Sequence, residues 1–146
     1  MTDIIPSLPA QTFQELKTKI AKVHGLIDAF QIDVADGLFV TSRSWPMNPG
    51  DKDQFKRLVR GEETLPYKDT IAYEVHFMAH NPEKLLPDWL KLGISRAFFH
   101  VEARHNVSEL VSLAVKGEVE LGVALKLGTP IERLEPYLAH TSLVQL

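Results

Sequence analysis

Asp33 and His76 are the two side chains of this sequence best suited to chemistry. Asp33 interrupts the apolar run at 30–34, and His76 lies between Val75 and Phe77 in another apolar run. A buried carboxylate without a partner lowers the stability of the folded state, so an aspartate here points to a function. An imidazole beside a carboxylate suits a divalent metal ion. Two ligands are fewer than a metal site normally uses, so a satisfied core histidine remains the alternative for His76.

Further polar side chains fall where short apolar runs end. They are Ser7, Asp36, His100, Glu102 and Lys126. His100 and Glu102 are two residues apart and face the same side of a strand, which fits a hydrogen-bonded polar layer as well as a site. Asp36 before a glycine is typical of a turn. Lys126 either binds an anion or reaches solvent.

The elements that would position these residues alternate along the chain. Short β-rich runs and longer amphipathic stretches predict βαβ units and a parallel sheet. The predicted strands are 4–8, 29–34, 71–78, 96–102 and 120–126, with a sixth beginning at 143–146. The predicted helices are 12–23, 52–60, 81–92, 107–116 and 129–139. Thr12 and Asn81 are the predicted N-caps, and the long loop 38–50 is a candidate functional loop.

The repeat length predicts a barrel architecture. One βα unit takes ~28 residues, so a (β/α)₈ barrel would need roughly 220. The expected fold class is therefore α/β of the (β/α)₈ TIM-barrel type, as a single domain over residues 1–146. It is an incomplete barrel of about five βα units plus the start of strand six. We expect the chain to be the N-terminal part of a longer protein, with open sheet edges that favour a homo-oligomer.

Composition excludes several classes of protein. The chain has 146 residues, 16 Lys and Arg against 19 Asp and Glu, and no cysteine. Disulfides, iron–sulfur clusters, thiolate zinc sites and cysteine catalysis are therefore excluded. The net charge of −3 without a basic stripe gives no reason to expect nucleic acid. No apolar run approaches the ~18 residues of a membrane span, and a cytoplasmic location is the default expectation.

Five stretches, in this order, resemble the ribulose-phosphate 3-epimerase family. They are residues 5–7, 31–40, 74–83, 99–103 and 122–130. The most specific part reads D-V-A-D-G-L-F-V, at residues 33–40. The family comprises pentose-phosphate enzymes built as (β/α)₈ barrels, so the resemblance implies the same fold for this chain.

The resemblance also implies site residues and a cofactor. Asp33 matches an aspartate that is both metal ligand and catalytic acid/base, and His76 matches a metal-binding histidine that also lies at the substrate. Ser7 and Met78 match residues that contact or cover the substrate. The implied cofactor is a divalent cation (zinc, iron, manganese or cobalt), and the implied partner is a sugar phosphate.

The chain departs from the family pattern at two histidines. Gln31 and Leu38 stand where the family has them. The family's remaining aspartate, which is the fourth metal ligand, and its phosphate-binding turns would follow residue 146. We therefore expect weak metal binding by this chain.

The implied reaction is the epimerisation of D-ribulose 5-phosphate to D-xylulose 5-phosphate through an enediolate. It needs two acid/base groups on opposite faces of the substrate, and Asp33 supplies one, so the chain alone is expected to be inactive. Three alternatives remain open: a non-catalytic sugar-phosphate-binding protein, a self-assembling partial barrel, and another sugar-phosphate barrel enzyme such as a hexulose-phosphate synthase.

Overall fold

The computed structural model describes residues 4–7 and 9–146. The strands are β1 (Ala29–Ala35), β2 (Ala72–Met78), β3 (Arg96–His100), β4 (Glu120–Ala124) and β5 (Leu143–Gln145). The α-helices are α1 (Phe13–Val23), α2 (Lys52–Val59), α3 (Leu86–Lys91) and α4 (Val107–Lys116). Three 3₁₀ segments span Pro49–Asp51, Pro82–Lys84 and Ile131–Tyr137. The five strands form one parallel sheet in the order β1-β2-β3-β4-β5, which confirms the predicted α/β class.

The N-terminal segment is less regular than predicted. Instead of a strand over 4–8, only Ser7 bridges to Gln31 in a parallel sense, and the Gln31 N–H donates to the Pro6 carbonyl at 3.0 Å. Pro6 itself has no N–H to donate, which limits pairing in this segment. Leu8 lies outside the described residues.

One predicted helix is shorter than expected, and another is a 3₁₀ segment instead of an α-helix. Asn81 precedes the 3₁₀ segment Pro82–Lys84 rather than an α-helix, its φ is 52°, and its side chain makes no cap hydrogen bond. The α-helix of this region begins only at Leu86, because Pro87 cannot donate to a carbonyl four residues earlier. Pro136 has the same effect inside Ile131–Tyr137, which is a 3₁₀ segment rather than an α-helix. Thr12, in contrast, caps α1 as predicted, since its side chain accepts from the Glu15 N–H at 3.1 Å.

The two faces of the sheet differ in polarity. One face packs against the helices with apolar side chains that are each at most 2% exposed: Phe30, Ile32, Val34, Tyr73, Val75, Phe77, Phe99 and Val123. Alternate residues of the same strands face the other way, and many are polar or charged: Gln31, Asp33, Glu74, His76, Arg96 and His100. The aspartate that interrupts the apolar run of β1 therefore lies on the polar face rather than in the apolar core.

The sheet curls toward its polar face, which therefore lines the interior of the incomplete barrel. The side-chain amides of Gln31 on β1 and Gln145 on β5 make two reciprocal hydrogen bonds of 3.1 and 3.2 Å. The two outer strands thus meet through side chains. Among residues 4–7 and 9–146, no strand pairs with the far edge of β5, and the homo-oligomer stays a prediction.

An ion network closes the interior at the amino ends of the strands. Arg96 contacts Glu74 through Nη1 at 2.6 Å and Glu120 through Nε at 2.8 Å. The Glu74 side chain is only 4% exposed, so the guanidinium supplies the partner that a buried carboxylate requires. Register pairing aligns all three residues across β2, β3 and β4.

The long loop after β1 is packed rather than loose. The Ser44 hydroxyl donates to the Asp33 carbonyl at 2.6 Å and accepts from the Ala35 N–H at 2.9 Å. Trp45 is 1% exposed, and its ring lies 5.2 Å from Phe13 and 5.7 Å from Trp89. These contacts fix the end of β1, where Asp33 lies. In the described part of the chain, every helix is too short or too polar to cross a membrane.

We expect Gly122→Ala to lower the free energy of unfolding by ~1–3 kcal/mol through overpacking. A Cβ at this position would overlap the Phe98 ring carbons Cδ1 and Cε1. Gly50→Ala is the matched control, since a Cβ there would meet nothing within 4 Å. Urea unfolding measures both variants. Equal stability of the two would show that the Phe98 ring does not fill the interior beside Gly122.

Candidate functional site

Ser7, Asp33 and His76 lie together at the carboxyl ends of the strands. The Ser7 hydroxyl donates to Asp33 Oδ2 at 2.6 Å, and Asp33 Oδ1 lies 3.2 Å from His76 Nδ1. Asp33 and His76 are register partners on β1 and β2, so the parallel pairing itself brings the carboxylate to the imidazole. Their side chains are 15% and 10% exposed, respectively, which leaves the pair accessible from the mouth of the interior.

A second histidine contacts His76, and a second carboxylate contacts that histidine. His76 Nε2 lies 2.8 Å from His100 Nε2, and His100 Nδ1 lies 3.2 Å from Glu102 Oε2. Burial, with the nearby His76, lowers the pKa of His100 to about 4, so its ring is neutral at neutral pH. Burial raises the pKa of Glu102, but the Thr129 side chain and the Lys126 N–H outweigh it and lower the pKa overall. The result is a continuous chain: Asp33, His76, His100, Glu102.

Asp36 organises the turn that follows Asp33. Its Oδ1 accepts from the Leu38 and Phe39 N–H groups, both at 2.8 Å, and its Oδ2 accepts from the His80 N–H at 2.9 Å. Burial raises the pKa of this carboxyl, but the three backbone donors lower it more, so that it lies below its ordinary value. Asp36 therefore has the turn role that the sequence suggested, and it also ties the β1 turn to the end of β2.

Phe39 and Lys126 cover one side of the histidine pair. The Phe39 ring lies 5.0 Å from the His100 ring and 5.4 Å from the His80 ring. Lys126 Nζ lies 3.6 Å from the centre of the Phe39 ring and 3.4 Å from the Phe39 carbonyl oxygen. The ammonium therefore has both a cation–π and a carbonyl contact. This cover was not foreseen, because it joins residues 87 positions apart; the phenylalanine in the D-G-L-F segment was its only sequence signal.

Met78 and Gln31 occupy different places around the Asp33–His76 pair. Met78 is half-buried and lies two residues beyond His76, on the same face of β2. Gln31 lies two residues before Asp33, but its amide is engaged by Gln145 and, at 3.4 Å, by Glu74. The structure thus brings Ser7, Asp33 and His76 together and leaves Gln31 in a separate hydrogen-bonded group.

Asp33 and His76 carry donor atoms of the types that divalent metals accept. Within the described residues, no group of three or more histidine or carboxylate side chains is arranged to hold a metal ion. The pair nevertheless offers a carboxylate oxygen and a ring nitrogen facing each other at 3.2 Å. These two donor types together suit a first-row divalent metal. The donor set therefore fits, with fewer ligands than a closed site has.

Comparison with known proteins identifies the family. The model of the ribulose-phosphate 3 epimerase family matches residues 3–146. The chain belongs to this family. It is 30% identical to the ribulose-phosphate 3-epimerase of Candida glabrata, covering 92% of this chain and 58% of that protein. The enzyme of the same name from Bacillus subtilis is 29% identical over 100% of this chain and 62% of its own length.

A solved structure shares the fold of this family member. The 3-keto-L-gulonate-6-phosphate decarboxylase of Vibrio cholerae superposes with a TM-score of 0.62 at 8% identity. The match covers 94% of this chain and 57% of that one. Together with the five parallel strands, it supports the predicted TIM-barrel type and the incomplete barrel. The chain spans between about half and three fifths of the length of the relatives it matches.

We expect Asp36→Asn to lower the free energy of unfolding by about 1–3 kcal/mol at neutral pH. An amide group can accept on one side only, so one of the three backbone donors would face an N–H. Because the folded pKa of Asp36 is lowered, its contribution is complete above the unfolded pKa of about 4 and is lost as pH falls through the folded value. The difference between parent and variant should therefore shrink at acid pH.

Urea unfolding at a series of pH values tests this expectation. Asp69→Asn, at an exposed carboxylate, is the matched control and should change stability by no more than ~0.5 kcal/mol. A difference between the parent and Asp36→Asn that stays constant down to pH values below the folded pKa would contradict the hydrogen-bonding role.

Proposed function

We propose that this chain carries one half of the catalytic apparatus for epimerising D-ribulose 5-phosphate to D-xylulose 5-phosphate. The observation that carries the proposal is the contact of Asp33 with both Ser7 and His76 at the carboxyl ends of the strands. In barrels of this type, chemistry takes place at that end. Family membership supports the reaction class, and sugar phosphates are the proposed substrates.

Asp33 would act as an acid/base group toward the substrate. Epimerisation beside a ketone removes a proton on one face of the carbon and returns one on the other face. The Ser7 hydroxyl, which donates to Asp33 Oδ2 at 2.6 Å, would hold the carboxylate in position for proton transfer. A second acid/base group is needed on the opposite face, so we propose that the chain alone does not complete the inversion.

Asp33 and His76 would also hold a divalent cation. When bound, such a cation stabilises negative charge that develops on the oxygens of an enediolate. The pair is only 15% (Asp33) and 10% (His76) exposed, which strengthens such an electrostatic effect because bulk water screens it less. Met78, on the His76 face of β2, would cover the substrate with an adaptable apolar side chain.

One observation favours a non-catalytic alternative. Gln31 stands where the resemblance places a metal-binding histidine, and its amide is committed to Gln145 and Glu74. A chain that has given up this ligand could bind a sugar phosphate without turning it over. Substrate binding without proton exchange would support this second function.

We expect the chain to bind Mn²⁺ or Zn²⁺ more weakly than micromolar, because a pair of ligands gives little of the usual affinity. Calorimetric titration should show the binding abolished by His76→Ala and by Asp33→Asn. His140→Ala, at an exposed histidine, is the matched control and should bind as the parent does. A submicromolar site abolished by His76→Ala would reveal further ligands, and binding indifferent to both substitutions would exclude this pair as the site.

We expect Asp33→Asn to reduce epimerisation by more than the ~10²–10⁴-fold typical of one acid/base group, since proton transfer and cation binding fail together. The test joins this chain to the part of the Bacillus subtilis relative that it does not match. The assay follows conversion to xylulose 5-phosphate and deuterium uptake from solvent at the epimerised carbon.

Asp88→Asn, at a carboxylate whose partner is Lys91, is the control. A folded, metal-binding chimera with neither conversion nor exchange would favour the non-catalytic alternative, and the isolated chain should show neither.

A further inference from the structure

We propose that Lys126 is the residue of this chain that binds the phosphoryl group of the sugar phosphate. Its ammonium group would leave the Phe39 ring, against which it lies in this structure, and donate hydrogen bonds to the phosphoryl oxygens at the mouth of the interior. This inference rests on the proposed function, because it takes a sugar phosphate to bind at this end of the strands. It gives Lys126 one of the two roles that the sequence left open.

The backbone of Lys126 is fixed at the carboxyl ends of the strands. Lys126 follows the last residue of β4 by two positions, and its N–H donates to Glu102 Oε1 at 2.8 Å. Glu102 follows the last residue of β3 by two positions, so this hydrogen bond joins the ends of two neighbouring strands. The Lys126 side chain therefore starts at the rim of the interior that holds the His100 ring.

The side chain of Lys126 crosses the mouth toward the loop after β1. Its Nζ lies 3.6 Å from the centre of the Phe39 ring and 3.4 Å from the Phe39 carbonyl oxygen. β2 and β3 separate β1 from β4 in the sheet, and the Phe39 ring lies 5.0 Å from the His100 ring. The ammonium group thus lies over the mouth, near the imidazole rings, rather than pointing away from the molecule.

The contacts of this ammonium group are weak enough to be exchanged for a ligand. A cation–π contact is weak at an exposed site, and the carbonyl distance of 3.4 Å exceeds the usual ~2.7–3.2 Å. In the part of the chain that the structure describes, Lys126 makes no salt bridge, whereas Lys19, Lys56 and Lys91 each have one. A phosphoryl group offers charged acceptors, which form stronger hydrogen bonds than neutral ones do.

The charges at the mouth explain why an anionic substrate would need this cation. Asp33, Asp36 and Glu102 all place carboxylates at this end of the strands. A phosphate dianion beside them would be repelled at short range. Arg43 donates from Nε to the Asp36 carbonyl oxygen at 3.3 Å, so its guanidinium is held at the β1 turn. Lys126 has a flexible stem that can carry its charge to the phosphoryl group without a movement of the backbone.

Lys126→Met tests the proposal directly. Calorimetric titration with D-ribulose 5-phosphate, at low ionic strength and in metal-free buffer, measures the affinity independently of the proposed cation site. Methionine keeps an apolar stem but removes the charge, so the affinity should fall by ~10-fold or more. Lys126→Arg keeps the charge and should retain most of the affinity. Lys116→Met, at an exposed lysine that ends α4, is the matched control and should bind as the parent does.

Two other titrations identify the group that Lys126 binds. D-ribulose lacks the phosphoryl group, so the parent and Lys126→Met should bind it equally weakly. Inorganic phosphate lacks the sugar, and its binding should be weakened by Lys126→Met as that of D-ribulose 5-phosphate is. A Lys126→Met variant that lost affinity for D-ribulose as well would contradict recognition of the phosphoryl group.

NMR separates ligand binding from a purely structural contact. The ring current of Phe39 should shift the ε-CH₂ protons of Lys126 upfield in the free chain. Saturation with D-ribulose 5-phosphate should return these protons to their ordinary position, because the ammonium group leaves the ring. A lysine that only covers the Phe39 ring would keep its upfield shift.

The outcomes separate this inference from the proposed function. Equal affinity of the parent and Lys126→Met for D-ribulose 5-phosphate, or an upfield shift that persists at saturation, overturns the role of Lys126 and leaves the proposed substrate standing. Binding of inorganic phosphate through Lys126 without binding of D-ribulose 5-phosphate contradicts the proposed substrate and keeps Lys126 as an anion-binding residue. A parent that binds neither compound overturns both.

Discussion

The polar side chains inside the curled sheet can stay there only because each finds a partner on a neighbouring strand. Parallel register supplies these partners, since it aligns Asp33 with His76 and Glu74 with Arg96. An isolated buried carboxylate would be destabilising. The ion network at the amino ends and the carboxylate–imidazole chain at the carboxyl ends are therefore two solutions to one constraint. The first joins one guanidinium to two carboxylates, and the second links two carboxylates through two imidazole rings.

The turn after β1 fixes the carboxyl end of this strand, near Asp33. Asp36 accepts hydrogen bonds from three backbone N–H groups, two in that turn and one after the end of β2. The Ser44 hydroxyl, in the loop that follows, donates to the Asp33 carbonyl. Asp33 is thus fixed from its backbone as well as from Ser7. Rigid placement suits the acid/base role proposed for Asp33, because such a carboxylate would have to keep its distance to the reacting carbon.

Much of the fold could be predicted because local patterns and tertiary structure agree. The four longer strands follow from alternation, and the capped start of α1 follows from Thr12. The predictions failed where a proline overrode the pattern, as Pro87 and Pro136 did. In the candidate site, the residue types were visible in the sequence, but the contact of His76 with His100 and the Phe39 cover depend on how the strands curl. Nothing local to either residue encodes that curvature.

Gln31 joins the two outer strands of the sheet through its side chain. Its amide carries a donor and an acceptor, and both match the amide of Gln145 across the interior. A neutral imidazole could also offer one donor and one acceptor, but on opposite sides of its ring, so it could not make the same reciprocal pair. The glutamine thus ties β1 to β5. A cation held by Asp33 and His76, as proposed above, would have to find its further ligands elsewhere than at Gln31, because that amide is engaged by Gln145 and Glu74.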